Sequence, residues 1–226
     1  MATQNACKPL PTIWRVPDDL WQIIEPLLLE HDPPAATGRK RIDQRQALDG
    51  IIYRLRSACQ WNQLPTEFGD DSSIHRTWQR WVKRQILVRL WQTLCRFCEA
   101  LGGLDWRWQA ADGALGKARS GGDEIGKNPT DRGKNGANRS VLVEGEGYPL
   151  AVVVAGANRH HTRLLAETLE AVIVERPEVS DERQQRRCLD KGYDNPTGRA
   201  AVEKFQYQGH IRKIGEEKKD RSGEKK

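Results

Sequence analysis

The chain has 226 residues, which is enough for one large domain or two small ones. Its longest apolar run, residues 150–157, is too short for a membrane-spanning helix, and residues 1–10 lack the apolar segment of a signal peptide. The formal net charge of +6 favours a polyanionic partner, and five cysteines at irregular spacings argue against a disulfide scaffold. We therefore expect a cytoplasmic protein in a reducing compartment.

The first hundred residues have the periodicity of amphipathic helices. Apolar side chains recur at helical spacing in four segments, residues 20–28, 48–55, 74–82 and 87–101. Potential capping residues precede the third segment, and two glycines follow the fourth. The pattern predicts a helical domain over residues 1–103.

After residue 103 the periodicity changes to that of strands interrupted by helices. β-Branched or alternating runs predict strands at residues 106–112, 139–144, 149–155, 187–190 and 208–214. Helices are predicted at residues 165–173 and 196–205, the second opened by an Asn-Pro pair. Residues 104–226 should therefore form a mixed sheet with packed helices, which makes the whole chain α+β.

The third predicted helix is basic on one side. Its apolar residues cluster opposite four cationic ones, which are Arg76, Arg80, Lys83 and Arg84. A basic helix after a tight turn is typical of a helix-turn-helix reader, which places that helix in the major groove. An ordinary amphipathic helix with a solvated charged face fits the same pattern, so both interpretations stay open here.

A long glycine-rich segment, residues 113–138, is predicted to be a loop between two strands. Its basic residues include Lys117, Lys127 and Arg132. Glycines let main-chain N–H groups approach a phosphate backbone, so the segment suits nucleic acid, although a disordered surface loop has the same composition. It lacks the motif of a nucleotide-binding P-loop.

Two aspartates are predicted to end strands. Asp112 ends the strand at residues 106–112, and Asp190 ends the strand at residues 187–190, just before Lys191. Carboxylates that share an edge of a sheet could hold Mg²⁺ or Mn²⁺ for phosphodiester chemistry. The alternative is that each aspartate only caps a turn.

Other potential ligands have simpler explanations. Cys95 and Cys98 lie within a helical pattern, where small core residues are expected rather than metal ligands. His160 and His161 precede a predicted helix, where they could cap it, contact phosphate or assist proton transfer.

Three strings give the chain a family resemblance that extends over nearly its whole length. They are DGIIYRLRSACQWNQLPTEFG, WQAADGALGKARSGG and CLDKGYDNP, and between the last two lies GKNPTDRGKNGANRSVLVEGEGYPLAVVVAGAN. In these strings the chain resembles bacterial DDE transposases of the insertion-sequence-five family. The first string resembles the helical DNA-binding region of that family, and the others resemble its catalytic domain.

The resemblance implies an RNase H-like catalytic domain over residues 104–226. It implies that Asp112 and Asp190 are catalytic and hold Mg²⁺ or Mn²⁺. On this hypothesis Lys117, Lys127, Arg132 and Lys191 could hold DNA phosphates near the metal. It also implies a third carboxylate, a glutamate on a later helix. Glu216, Glu217 and Glu224 lie in no such pattern, so we expect an incomplete domain that lacks its last helical part. An aspartate is also expected at the position of His161.

The predicted function is therefore that of an insertion-sequence transposase. It would bind double-stranded DNA at the element's terminal repeats, cut and join strands, and act as a homo-oligomer on the bacterial nucleoid. The alternative is a truncated, catalytically inactive DNA-binding remnant or regulator. A general metal-dependent nuclease would share the fold but cut without regard to end sequence.

Overall fold

The computed structural model describes residues 14–38, 40–118 and 121–213, and its fold is α+β as predicted. Helices come first and a mixed sheet follows. The chain divides into two compact units between Thr93 and Leu94, and each is described separately below. Within the described ranges, no helix is long and apolar enough to cross a membrane. Glu216, Glu217 and Glu224 lie outside the described residues.

All four predicted N-terminal helices are present. They are α1 (Asp18–His31), α2 (Gln44–Ser57), α3 (Asp71–Lys83) and α4 (Ile86–Ala100). The predicted capping of α3 is confirmed, because the Asp70 side chain accepts a hydrogen bond from the Ser73 N–H at 2.8 Å. Two short 3₁₀ turns lie between α2 and α3, so this connection is longer than the about three- to four-residue turn of a helix-turn-helix.

The buried side of α3 differs from the predicted one. Ile74, Thr77 and Trp81 are buried, whereas Val82 is exposed. Thr77 can be buried because its hydroxyl donates to the Ser73 carbonyl at 2.9 Å, which satisfies it within the helix.

A buried carboxylate, Asp32, lies at the carboxyl end of α1 and organises the helical unit. Its side chain is 1% exposed and accepts hydrogen bonds from Arg80 at 2.8–3.0 Å and from the Trp81 indole at 2.8 Å. Arg41 and Arg84 donate to it at 2.8 and 3.1 Å. Burial opposes ionisation of Asp32, but these hydrogen bonds and the arginine charges outweigh it and lower the pKa of Asp32.

The second unit is built on a six-stranded mixed sheet. Its strands are β1 (Trp108–Lys117), β2 (Gly126–Lys127), β3 (Asn135–Glu144), β4 (Pro149–Gly156), β5 (Arg186–Leu189) and β6 (Gln208–Ile211). The order is β2-β3-β1-β5-β6, and β4 also pairs with β3. β1 and β3 are antiparallel, whereas β1, β5 and β6 are parallel, which makes β1 central.

The prediction of a loop over residues 113–138 is wrong. β1 continues through Gly113 to Lys117, and β3 begins at Asn135, so strands occupy both ends of that segment. The paired backbones of β1 and β3 lie very close together here, because a β-carbon on Gly136 would lie 2.7 Å from the Gly116 carbonyl oxygen. Gly136 therefore marks close backbone packing, where a side chain would not fit.

Helices α5 (His161–Glu170) and α6 (Pro196–Lys204) accompany the sheet. The Thr168 hydroxyl of α5 donates to Ser140 of β3 at 2.7 Å, and both residues are buried. The predicted opening of α6 is confirmed, since the Asn195 side chain accepts from the Gly198 N–H at 2.9 Å. Helix α5 ends at Glu170, so Val172 and Ile173 lie beyond it rather than inside it as predicted.

A buried polar layer lies on the same sheet face as α5, where β1 and β5 pair. Tyr207 donates to the Gln109 side chain at 3.2 Å, and the Arg187 guanidinium lies 4.0 Å from the Tyr207 ring centroid. Arg187 is fully buried, and burial lowers its pKa to about 10. This residue remains cationic at neutral pH, and its stacking on Tyr207 partly compensates for lost hydration.

We expect Asp32→Asn to lower the free energy of unfolding by about 1–3 kcal/mol at neutral pH, because it removes the buried charge that three partly exposed guanidinium groups share. The depressed pKa of Asp32 gives the folded state stability that is present above the reference value of 3.8 and is lost as the pH falls through the folded-state pKa. Asp32→Asn should therefore also weaken the acid dependence of stability. Urea denaturation at several pH values measures both effects.

Glu25→Gln is the matched control, because Glu25 is an exposed carboxylate on α1. It should change the free energy of unfolding by less than about 0.5 kcal/mol. Equal effects of the two substitutions would show that Asp32 does not organise the unit.

Candidate carboxylate site and nucleic-acid interface

The parallel pairing of β1 with β5 brings Asp112 and Asp190 together. Trp108 pairs with Arg186, Gln109 with Arg187 and Ala110 with Cys188. If the register is extended by two residues beyond the Ala110–Cys188 pair, Asp112 lies opposite Asp190. Both side chains are exposed, and alternation along each strand puts both on the face away from Gln109 and Arg187.

Only one of the two aspartates lies where the sequence predicted. Asp190 follows β5 directly, as expected, and opens a 3₁₀ turn at Lys191–Tyr193. Asp112 lies inside β1 and not at its end, where it pairs with Val141 of β3. The error has the same cause as the false loop, because the sequence pattern predicts that the loop begins at Gly113, directly after Asp112.

Each carboxylate has one oxygen fixed by the backbone. Asp112 Oδ1 accepts from the Gly113 N–H at 2.7 Å, and Asp190 Oδ1 accepts from the Gly192 N–H at 2.8 Å. Within the described part of the chain, Oδ2 of either residue accepts no hydrogen bond. The site therefore offers two oriented carboxylates, each with an oxygen that can take a hard cation.

The donor set is limited to that pair. No group of three histidine, cysteine, aspartate or glutamate side chains among the described residues is arranged to hold a metal ion. Two carboxylates still fit Mg²⁺, which proteins often bind through one or two carboxylates together with substrate phosphates and water.

Two aromatic side chains, His161 and Tyr193, lie near the carboxylates. The sequence pattern pointed to His161 but not to Tyr193. The His161 ring lies 4.9 Å from that of Tyr193 in an edge contact and 4.0 Å from that of His160. Burial lowers the pKa of His161, helped by His160 and opposed by Asp190 and Asp112. Burial and the charges of Asp112 and Asp190 raise the pKa of Tyr193, so its buried phenol stays protonated.

Glycines make this arrangement possible. A β-carbon on Gly113 would lie 2.6 Å from the β-carbon of His161, so only glycine lets His161 reach the β1 backbone beside Asp112. A β-carbon on Gly192 would lie 2.9 Å from Asp190 Oδ1 and 3.1 Å from His161 Nε2. The imidazole therefore faces the Asp190 turn across a space that glycine leaves open.

The capping role predicted for the histidine pair belongs to His160. Its side chain accepts from the Thr162 N–H at the start of α5. His161 is the first residue of that helix and points its Nε2 toward the Gly192 turn instead.

The predicted DNA-binding residues of α3 divide into two groups. Arg80 and Arg84 donate to Asp32, so both have a structural partner. Arg76 and Lys83 are exposed, and Arg76 makes only surface contacts with Ser73 and Asp70.

The predicted phosphate contacts of the second unit are spread along its chain. Lys117 ends β1 and lies 3.3 Å from Asp131, Lys127 is in β2, and Arg132 lies between β2 and β3. Of the four, Lys191 alone is adjacent in sequence to a site aspartate.

Comparison with known proteins identifies the class to which this chain belongs. A family model described as "Putative transposase of IS4/5 family" matches residues 16–91. The "Insertion element IS402 uncharacterized 16.2 kDa protein" of Burkholderia cepacia is 31% identical over 119 residues, which is 50% of this chain and 80% of that protein.

Two further relatives are similar over shorter regions. The "Putative transposase for insertion sequence element IS402" of B. cepacia is 31% identical over 86 residues, or 37% of this chain and 41% of that protein. "Uncharacterized protein y4sN" of Sinorhizobium fredii is 28% identical over 103 residues, or 45% of this chain and 74% of that protein. The chain therefore belongs to the insertion-sequence transposases of the IS4/5 type, which confirms the predicted resemblance.

The glycine beside Asp112 provides a test of the site geometry. We expect Gly113→Ala to lower the free energy of unfolding by about 1–3 kcal/mol, because the added methyl group overlaps His161. Gly116→Ala on the same strand is the control, since its β-carbon would meet nothing closer than 3.9 Å. Chemical denaturation compares them, and equal stabilities would contradict the close packing of His161 on β1.

Proposed function

We propose that the chain binds duplex DNA at the ends of its insertion element and that its carboxylate pair supports metal-dependent strand cleavage and transfer. The observation that carries the proposal is the register of β1 and β5, which brings Asp112 and Asp190 together on one exposed face. Membership in the transposase family supports it.

Helix α3 would supply the DNA-reading surface. Its exposed residues Ser72, Arg76, Gln79 and Lys83 recur at helical spacing and form a polar stripe opposite buried Ile74 and Trp81. Arginine and glutamine side chains are suited to base edges in the major groove, and lysine to phosphate. A net charge of +6 supports association with DNA. Such binding would place the protein on the bacterial nucleoid.

Asp112 and Asp190 would hold the divalent cation through the oxygens that accept no backbone hydrogen bond. When bound, Mg²⁺ or Mn²⁺ would stabilise charge that develops on the reacting phosphate. The backbone N–H groups of Gly113 and Gly192 fix the opposite oxygens and so orient both carboxylates before substrate arrives. Lys191, next to Asp190, would help to hold the phosphate.

The proposed reaction has two steps. Water attacks the phosphorus at the element's end, the bond to the 3′-oxygen breaks, and that oxygen takes up a proton. The freed 3′-hydroxyl then attacks a phosphodiester of the target DNA. Two element ends must meet for this reaction, so we expect the protein to act as an oligomer on DNA.

An RNase H-like architecture for the second unit is part of the same proposal. A central strand with an antiparallel neighbour on one side and parallel strands on the other supports it. The positions of Asp112 within β1 and Asp190 directly after the adjacent parallel strand β5 support it as well.

A second candidate is a DNA-binding regulator that occupies the element's ends without cutting them. The observation that favours it is the donor set, since only two carboxylates come together among the described residues. In that case α3 would keep its role, and Asp112 and Asp190 would not affect DNA binding.

We expect Asp112→Asn and Asp190→Asn each to reduce Mg²⁺-dependent nicking of a plasmid that carries the element's ends by at least about 10²-fold. Each substitution removes one charged ligand of the pair while keeping the side-chain shape. The exposed Asp181 of the second unit supplies the control Asp181→Asn, which should nick like the parent chain.

A gel shift with the same DNA separates the two candidates. Nicking that survives both substitutions would overturn the catalytic assignment. Salt-sensitive binding by a parent chain that never nicks would favour the regulator instead. Thermal unfolding with added Mg²⁺ gives an independent readout, since a cation held by the pair should stabilise the parent chain and not either variant.

A further inference from the structure

A cationic groove of about 420 Å³ lies beside α3 in the helical unit. On one side, Ser73, Arg76, Thr77 and Arg80 recur at helical spacing and present one face of α3. On the other side are Lys40 and Arg41, from the segment that leads into α2. The sequence pattern pointed to Arg76 and Arg80 but not to Lys40 and Arg41, which line the groove opposite them.

Positive charge is in excess here. Four of the residues that line the groove are cations, and the arginines Arg41 and Arg80 both donate to Asp32. Asp32 carries one negative charge and accepts from three guanidinium groups, because Arg84 donates to it as well. Asp70 is 3.7 Å from Arg76 in a contact where both side chains are mostly exposed, so solvent screens it. Asp43, which lines a neighbouring pocket with Arg41 and Arg80, is also exposed and accepts from the Gln46 N–H.

The same contacts hold the arginines in fixed orientations. Arg80 donates hydrogen bonds to the Asp32 carboxylate from two nitrogen atoms, Nε and Nη2, and also donates to the Thr77 hydroxyl at 3.3 Å. Arg41 donates to both Asp32 and the Pro33 carbonyl, at 2.8 and 3.1 Å. A groove whose cations are positioned in advance loses little side-chain freedom when an anion binds.

We infer that this groove takes a phosphodiester group of the duplex DNA backbone. Guanidinium and ammonium donors match phosphate oxygens, and hydroxyls from Ser73 and Thr77 add neutral hydrogen-bonding groups. Arg76 belongs both to the groove and to the exposed stripe of α3, so a phosphate held here would fix the register of that helix on the DNA. The inference rests on the proposed DNA binding by α3.

The competing explanation is that the arginines serve only to satisfy Asp32. Lys40 and Arg76 distinguish the two explanations, because neither makes a hydrogen bond or ion pair with Asp32. Their removal leaves the buried cluster intact but takes charge from the groove.

The experiment measures the affinity of the full chain for a short fluorescent duplex of arbitrary sequence at several salt concentrations, by anisotropy. Lys40→Ala and Arg76→Ala should each weaken binding about tenfold at moderate salt. Each should also reduce the slope of log affinity against log salt by about 0.9, the value for one lost phosphate contact. Arg76→Lys should keep the slope, because it keeps the charge.

Arg89→Ala is the matched control, since Arg89 is an exposed arginine of the same unit that does not line the groove. Unchanged unfolding temperatures verify that the variants fold. The groove assignment would be overturned if Lys40→Ala and Arg76→Ala reduced the salt slope no more than Arg89→Ala does. DNA binding itself would still stand in that case. A parent chain that does not bind the duplex at all would overturn DNA binding itself, and the groove assignment with it.

Discussion

The parallel pairing of β1 with β5 is the constraint on which the candidate site depends. Side chains alternate between the two faces of a strand, so a slip of one residue would turn Asp112 away from Asp190. β1 cannot slip easily, because β3 pairs along its other edge from Gln109 to Lys117. On the covered face, buried hydrogen bonds join Gln109 of β1 to Gln185, just before β5, and to Tyr207, just before β6. The position of two exposed carboxylates is thus set by the interior of the sheet.

Each unit contains a cluster of charged side chains in which one sign of charge is in excess. In the sheet, two carboxylates occupy neighbouring positions, where like charges repel and a cation between them is favourable. In the helical unit the imbalance has the opposite sign, since Asp32 faces three arginines. A divalent cation would complete the first cluster and a phosphodiester the second. Both are components of a single kind of complex, a metal-loaded nuclease on DNA, so the two clusters support one functional proposal from independent residues.

Local patterns predicted the helices well and the sheet less well. Helical spacing and the Asp70 cap define α3 from neighbouring residues alone, so they are visible in the sequence. Gly113 and Gly136 were misleading, because the close contacts that require them, with the His161 side chain and the Gly116 carbonyl, join segments far apart in sequence. The same limit applies to Asp32, whose arginine and tryptophan partners lie 9 to 52 residues away along the chain. The sequence points to both aspartates, and it places Asp190 correctly at a strand end, but their alignment depends on a register between strands that no local signal encodes.

The two parts of the proposed function, DNA binding and cleavage, depend on different units of the chain. The family match, residues 16–91, lies entirely within the helical unit, whereas the carboxylates belong to the sheet unit. Affinity for DNA depends mainly on cations that neutralise phosphates, and it does not require the carboxylates. The proposed cleavage would need both, because the carboxylates would act only on DNA that is already held. A chain whose metal site is weakened would therefore still occupy the ends of its element and would block their use by an active copy.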